Sequence, residues 1–442
     1  MKTHYKNHMP LLSIIIPVYN VESYIDDCLN SILNQDFNDY EVILVDNAST
    51  DKSGEICDKY SKIDNNIKTI HLEKNSLPAG ARNEGLKIAT GKYIHFCDSD
   101  DYFLKNVFSK IAAVLRDENP SVLVGQFISY PEKGAYVSYD VGLDESVFRH
   151  DNPIVTVDYL HSLNNFLFTV WRFIVKREFL LSNNIIFPDG CHSEDEEWVP
   201  KILCCASKFT LLKEPFYCYR PRASGSVTSA RSFINDKSRL IVAFNLLRFN
   251  NQRKYNDVRK DLIYYRVNML IGTFSTRCDT FSGENLKELA NIIENNSDVL
   301  DNLCDIPERH DFYNVIKRHG AYKGIIIYCK KVKMETSNLT KNKENRDIYI
   351  FPTGNSGEST ARILQDDGYE IKGFFDNSKT KNDCIINGLK VNLPNVINTM
   401  SLNERKNLFV IVSSQYKKSV KSIIGQLKSY GISEGQYICR FY

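Results

Sequence analysis

KYIHFCDSDD, residues 92–101, is an apolar run that stops at three carboxylates, Asp98, Asp100 and Asp101. Ahead of it, the segment from about Pro78 to Thr90 has Pro near its start and Gly91 just past its end, the asymmetry expected of a helix. IKTIHL (67–72) reads as a strand, and Ser49, Thr50 and Asp51 offer N-cap chemistry for a helix through Tyr60. EVILVDN (41–47) is a further strand, and a helix is expected from about Glu22 to Asn34. LLSIIIPV (11–18) is an unbroken apolar run of the kind buried in a parallel sheet. Strand–helix repetition of this kind predicts an open α/β sheet whose ligands bind at the carboxyl ends of the strands.

Beyond residue 104 the pattern is mixed, with strands expected near 121–129 and 135–140 and helices near 158–165 and 195–207. From about 231 to 335 it turns helical. METSNLTKNKENR (334–346) has only Met334 and Leu339 as apolar residues and reads as a linker, and a second α/β unit follows over 347–442. The expected domains are therefore 1–230, a helical region 231–335, a linker 336–346, and 347–442. At roughly 150 residues per domain, 442 residues allow about three units. Hydrophobic residues at 43% and charged residues at 25% exclude collagen-like, wholly disordered and small disulfide-stapled classes. A net charge of +2 provides no global field for nucleic acid. Twelve Cys without a CxxC, a polar N-terminus and no apolar run near 18 residues point to a cytoplasmic protein.

Asp98 and Asp100 are two apart at the end of a strand, so extended backbone would send both to one side. Paired oxygen donors there suit a hard divalent ion, Mg²⁺ or Mn²⁺, with positions left for diphosphate oxygens. A solvated turn is the alternative. Asp101 reads as a supporting residue or a helix cap.

Residues 1–230 resemble the inverting, nucleotide-sugar-dependent glycosyltransferases of the GT-A fold, family 2 type. Four segments carry the resemblance in order: IIIPVYNVESYIDDCLNSILNQ, EVILVDNASTDKS, PAGARNEGLKIATGKYIHFCDSDD and HSEDEEW. It implies a nucleotide-sugar-binding mixed sheet flanked by helices, a UDP-sugar donor, a metal, and a glycan acceptor of the capsule or lipopolysaccharide kind, carried on a polyprenyl lipid. Asp98, Ser99 and Asp100 match the DXD motif. Asp46 would accept the uracil N–H, Pro17, Tyr19 and Asn20 would offer backbone to the base, and Glu22 would reach the ribose. Arg82 would approach the nucleotide. Asp46 could instead cap the next helix, Glu22 be a surface charge, and Arg82 pair with a neighbouring carboxylate.

Glu194-Asp195 resembles the ED motif, whose Asp is the general base. A carboxylate within about 3 Å of the acceptor hydroxyl takes its proton during attack. Glu194 or Glu196 can share that role, and four consecutive acids also suit a helix N-terminus. His192 is a further candidate metal ligand. Arg220, Arg222 and Ser226 are candidates for phosphate or acceptor contact, since guanidinium matches phosphate geometry. A sugar-1-phosphate nucleotidyltransferase is the rival enzyme, but it needs a Gly-rich loop after the first strand, which PVYNVES lacks. A non-catalytic nucleotide-sugar-binding scaffold is the other rival.

Residues 352–357 read Pro-Thr-Gly-Asn-Ser-Gly, a dinucleotide fingerprint whose first glycine is Pro352, and Asp376 follows 19 residues after Gly357. The region resembles Rossmann-like modules of bacterial sugar acetyltransferases; docking or homo-oligomerisation is the favoured role over nucleotide binding. Residues 317–346 hold nine Lys or Arg and two Glu, an excess of +7. Mixed with apolar residues over 312–334, this suits either peripheral membrane contact or a basic linker facing water.

Overall fold

The computed structural model describes residues 9–129, 137–138, 142–150, 152–163, 166–221, 232–275, 277, 280–341, 343, 345–414 and 417–440. Contacts divide the chain into two compact units, 1–263 and 264–442, and the division falls inside the helix Val258–Ser275.

The first unit is built on a nine-stranded mixed sheet. Its strands are β1 (Leu12–Val18), β2 (Tyr40–Asp46), β3 (Ile67–His71), β4 (Tyr93–Phe96), β5 (Tyr102–Phe103), β6 (Val122–Ser129), β7 (Val137–Ser138), β8 (Phe173–Lys176) and β9 (Phe209–Tyr219). They run in the order β3-β2-β1-β4-β8-β6-β9-β5, with β7 on β6. β1 to β4 are mutually parallel, and the register pairs Val18 with Asp46 and Asp46 with His71, so three strands end on one edge. β8 reverses direction against both β4 and β6.

Alternation explains how both faces are covered. Ile14, Ile16, Val18, Val42 and Leu44 face helices α1 (Ile25–Leu33) and α2 (Ser53–Ile63), through Ile25, Leu29, Ile32, Cys57 and Tyr60. Each such side chain contributes roughly 1.5–3 kcal/mol on burial. The opposite parity meets α3 (Leu77–Ile88), where Gly85 is needed: a Cβ there would stand 2.4 Å from Ile15 Cγ2. At the amino ends of the strands, buried Glu41 accepts from Ser13 Oγ at 2.6 Å, Thr90 N–H at 2.6 Å and Lys68 Nζ at 2.7 Å. Burial alone would raise its pKa, but these donors hold it down to about 2.

The second unit contains the helices Gly283–Asn295, His310–His319 and Ala321–Asn338 and a six-stranded sheet. The sheet comprises β10 (Asp347–Phe351), β11 (Ile371–Phe375), β12 (Ile385–Ile386), β13 (Leu389–Asn392), β14 (Leu408–Ser413) and β15 (Tyr437–Arg440), in the order β12-β13-β11-β10-β14-β15. All pairs are parallel except β12 with β13, giving a doubly wound arrangement centred on β10. The polar stretch 334–346 begins inside the helix Ala321–Asn338. Thr336 and Ser337 lie in this helix with their hydroxyls donating to the carbonyls of Val332 (2.7 Å) and Lys333 (3.0 Å), which satisfies these polar groups within the helix. Ser337 also bonds Asp367, and Arg440 reaches the Val332 carbonyl, so this helix packs on the C-terminal sheet. Among the described residues no helix is long and apolar enough to cross a membrane.

Candidate active site

β4 stops at Phe96, two residues short of Asp98, and the acids that follow lie on a turn closed by the Asp101 N–H and the Asp98 carbonyl at 3.1 Å. A turn, rather than the alternation of an extended strand, therefore brings the carboxylates together. Ligand oxygens of Asp98, Asp100 and Asp101 lie within 4.8 Å of one another, and Ser99 between them is buried. Hard oxygen donors so close, Asp98 and Asp100 above all, suit a divalent cation. His192 is not part of that group among the described residues.

Asp101 is committed to the protein. Its Oδ2 accepts from Tyr217 Oη at 2.8 Å and its Oδ1 from the Arg220 N–H at 2.7 Å. Burial, then Asp100 and Asp98, raise its pKa well above the usual carboxylate range. Tyr217 Oη also accepts the Asp98 N–H at 3.0 Å, so one phenol fixes both ends of the turn. The Tyr217 ring stacks on Trp171 with centroids 4.9 Å apart, and the Trp171 carbonyl accepts from His95 Nε2 at 2.8 Å. Burial pushes the pKa of His95 down to about 4, which keeps it a neutral structural donor.

Arg82 joins the turn to the segment before residue 195. Arg82 is 4% exposed; its Nη2 donates to Asp98 Oδ1 at 2.6 Å and its Nη1 to Glu194. Burial alone would lower its pKa, but Asp98 and Glu194 drive it higher. The next residue, Asn83, clamps Phe187 by donating to its carbonyl and accepting its N–H, both at 3.0 Å. Both ends of the Arg82 guanidinium are thus engaged by carboxylates, the ion pair expected of one of its two readings.

At the ends of β1 and β2, Asp46 is buried, with Oδ1 accepting the Ser49 N–H at 3.0 Å and Oδ2 paired with His71 Nδ1 at 2.8 Å. His71 Nε2 in turn meets Asp58 at 2.9 Å, and bonds to Asp46 and Asp58 raise the His71 pKa. Gly54 leaves room for this carboxylate, since a Cβ would stand 2.8 Å from Asp46 Oδ2. Glu22 accepts the Lys52 N–H at 3.0 Å, which ties it to the start of α2. Pro17 lies in β1, Tyr19 is 46% exposed, and Asn20 adopts φ +50° and accepts the Thr50 N–H at 2.8 Å.

Asp195 opens the helix Asp195–Cys205, whose first turn also carries Glu196 and Glu197, and its Oδ1 accepts the Glu196 N–H at 2.9 Å. Glu197 is buried, pairs with Lys201, and accepts from Asn245 Nδ2 at 2.9 Å, a packing role. The His192 N–H donates to Ser238 Oγ at 3.0 Å, and its Nδ1 is buried without a partner among the described residues. Arg220 donates to Asp27 at 3.1 Å and lies over the rings of Tyr24 and Tyr102. Arg222 and Ser226 lie outside the described residues.

The structure thus gathers Asp98, Ser99 and Asp100 on one turn and ties Asp98 through Arg82 to Glu194, with Asp195 the next residue and Arg220 attached through Asp101. Asn83 lies within the segment PAGARNEGLKIATGKYIHFCDSDD without being singled out there, and Tyr217, Trp171 and His71 lie in none of the four segments. Their only sequence signal is aromatic or polar character beside a strand end, which core residues share.

Residues 13–155 match the family model Glycosyl transferase family 2. The chain is 32% identical over 222 residues to glycosyltransferase GlyG of Streptococcus pneumoniae serotype 4 (strain ATCC BAA-334 / TIGR4), covering 49% of this chain and 72% of that protein. It is 32% identical over 375 residues to a poly(ribitol-phosphate) beta-glucosyltransferase of Bacillus spizizenii (strain ATCC 23059 / NRRL B-14472 / W23), covering 81% of this chain and 54% of that protein. The crystal structure of S. aureus TarS 1–349 in complex with UDP-GlcNAc superposes with a TM-score of 0.52 at 26% identity, covering 74% of this chain and 91% of that one. The mixed sheet is accordingly the GT-A arrangement, and the chain belongs to glycosyl transferase family 2.

Proposed function

We propose that the protein transfers one sugar from a UDP-sugar to a hydroxyl of a bacterial cell-surface glycan, with inversion at the anomeric carbon. The observation that carries this reading is Arg82, whose single guanidinium bonds both the acidic turn at Asp98 and Glu194, the neighbour of Asp195. Donor-side and acceptor-side carboxylates are then adjacent, as an in-line displacement requires. The likeness to TarS, solved with UDP-GlcNAc, supports a UDP-sugar, and the likeness to a poly(ribitol-phosphate) glucosyltransferase supports a polymer of the teichoic-acid or capsule type as acceptor.

In this reading Asp46 and the backbone of Pro17 to Asn20 receive the uracil, and Glu22 the ribose. Asp98 and Asp100 would hold Mn²⁺ or Mg²⁺, which when bound neutralises charge on the departing diphosphate. Tyr217 fixes the turn through the Asp98 N–H and Asp101. Asp195 accepts the proton of the acceptor hydroxyl as its oxygen attacks, and Arg220 offers a cation to phosphate oxygens. Release of UDP from a panel of UDP-sugars with Mn²⁺, followed by NMR assignment of the product anomer, tests the proposal. A product retaining the donor's anomeric configuration, or no release from any UDP-sugar, overturns it.

Residues 347–442 are read as a docking or oligomerisation module. Asp376, where a ribose-binding acid would sit, spends its carboxylate on the Thr353 N–H (3.1 Å), the Thr353 hydroxyl, Lys381 and the Ser378 N–H (2.9 Å).

A further inference from the structure

The helix Ala321–Asn338 buries Ala321, Gly324, Ile325, Tyr328, Cys329 and Thr336. At about 100° per residue, Tyr322, Lys323, Ile326, Ile327, Lys330 and Met334 share an arc of about 140° on the other side. Lys333 falls in the same arc, and none of these residues is acidic. Tyr322 is 37% exposed, Ile327 37% and Met334 61%. Lys323 and Lys330 are exposed between them, and neither has a carboxylate within ion-pair distance among the described residues. Nearby cations are spoken for: Lys331 meets Asp311 at 2.6 Å, Lys317 meets Asp301 at 2.7 Å and Lys333 approaches Asp367 at 4.0 Å. Arg318 and His319, just ahead of the Gly320 turn, are exposed as well.

A helix face made only for water carries polar residues and pairs its charges at helical spacing. This arc instead sets the exposed side chains of Tyr322, Ile327 and Met334 beside Lys323 and Lys330. Lysine stems lie along apolar surface while their ammonium heads stay wet, which is the arrangement stable at a headgroup boundary. The charge complement of such a face is negative and the apolar complement is acyl chain. We propose that this arc docks the protein on an anionic lipid surface, with Tyr322, Ile327 and Met334 entering the boundary and Lys323 and Lys330 contacting phosphate headgroups. The inference is independent of the donor-site reading, since every residue in it belongs to the second unit.

The test is flotation of the full chain with phosphatidylcholine vesicles, with and without phosphatidylglycerol. Binding should require phosphatidylglycerol and fall with added salt, because headgroup attraction is screened within a Debye length. At about fivefold per cation, Lys323→Gln with Lys330→Gln should lower partitioning about 25-fold. Ile327→Ser with Met334→Ser should also lower it at unchanged charge, and both pairs should leave UDP release from a soluble donor unaltered. Equal binding to neutral vesicles, or variants that partition like the parent chain, overturns the proposal. Binding to soluble polyphosphate without binding to anionic vesicles overturns it too, and would assign the arc to an anionic polymer.

Discussion

Nη2 of Arg82 lies 2.6 Å from Oδ1 of Asp98, and the other end of the same guanidinium is bonded to Glu194. A buried cation between two carboxylates offsets the charge of each. Replacing it strands both. Arg82→Met is expected to lower unfolding free energy by about 3–5 kcal/mol, seen as a fall in melting temperature. Arg82→Lys should recover part of the stability and little activity, since one ammonium cannot present two opposed donors.

Asp100→Asn should abolish nearly all transfer and remove metal-dependent UDP binding, measured by calorimetry with and without Mn²⁺. An amide oxygen is a far poorer ligand for a hard cation. Normal Mn²⁺-dependent turnover in this variant would sink the metal assignment.

Asp195→Asn should leave donor affinity intact while turnover falls about 10²–10⁴-fold, the usual contribution of a general base. A loss of UDP affinity at unchanged turnover would move Asp195 into the donor site and leave Glu194 or Glu196 as the base.

Tyr217→Phe keeps the stacking on Trp171 but deletes the oxygen that joins the Asp98 N–H to Asp101. The expected result is a rise of about tenfold in the Mn²⁺ concentration needed for half-maximal UDP binding, at about 1.4 kcal/mol for a buried hydrogen-bonded group. Unchanged metal dependence would show that the turn holds itself.

Glu41 gives a pH window. Its folded pKa is depressed to about 2, so the stabilisation is present above the unfolded value near 4.5 and is lost as pH falls from there toward 2. Glu41→Gln should cost about 2 kcal/mol at neutral pH, a figure reduced for the half-exposed Lys68 partner, and its melting temperature should converge on that of the parent chain in acid. A constant difference from pH 7 to pH 2.5 would refute the linkage.

The sequence was most readable where burial is two-sided. β1, β2 and β4 are apolar on both faces and follow the expected strands closely, whereas β8 is four residues of Phe173–Lys176 and offers too short a run to stand out. The acids at 98 and 100 were legible, but the phenol that braces their turn was not, because Tyr217 is 119 residues away in sequence from Asp98. Arg82 was marked as a site residue, yet its second partner, 112 residues away, is a matter of tertiary placement. The stretch 334–346 misled for a different reason. Counting apolar residues treats Thr336 and Thr340 as solvent-seeking, while both are fully buried with their hydroxyls bonded to backbone carbonyls.

The parallel strands β1 to β4 bear on how the site comes into being. Asp46 and Asp98 sit at the ends of strands that pair with β1 but are separated from it by whole helical crossovers, so no local segment holds even half of the donor residues. Contacts of such long sequence separation form late and slowly in folding. Nucleotide affinity should therefore appear in a single step with the last strand pairing during refolding. A bound donor would act as a ligand of the completed sheet alone, raising its stability by mass action and drawing partly folded chains toward it.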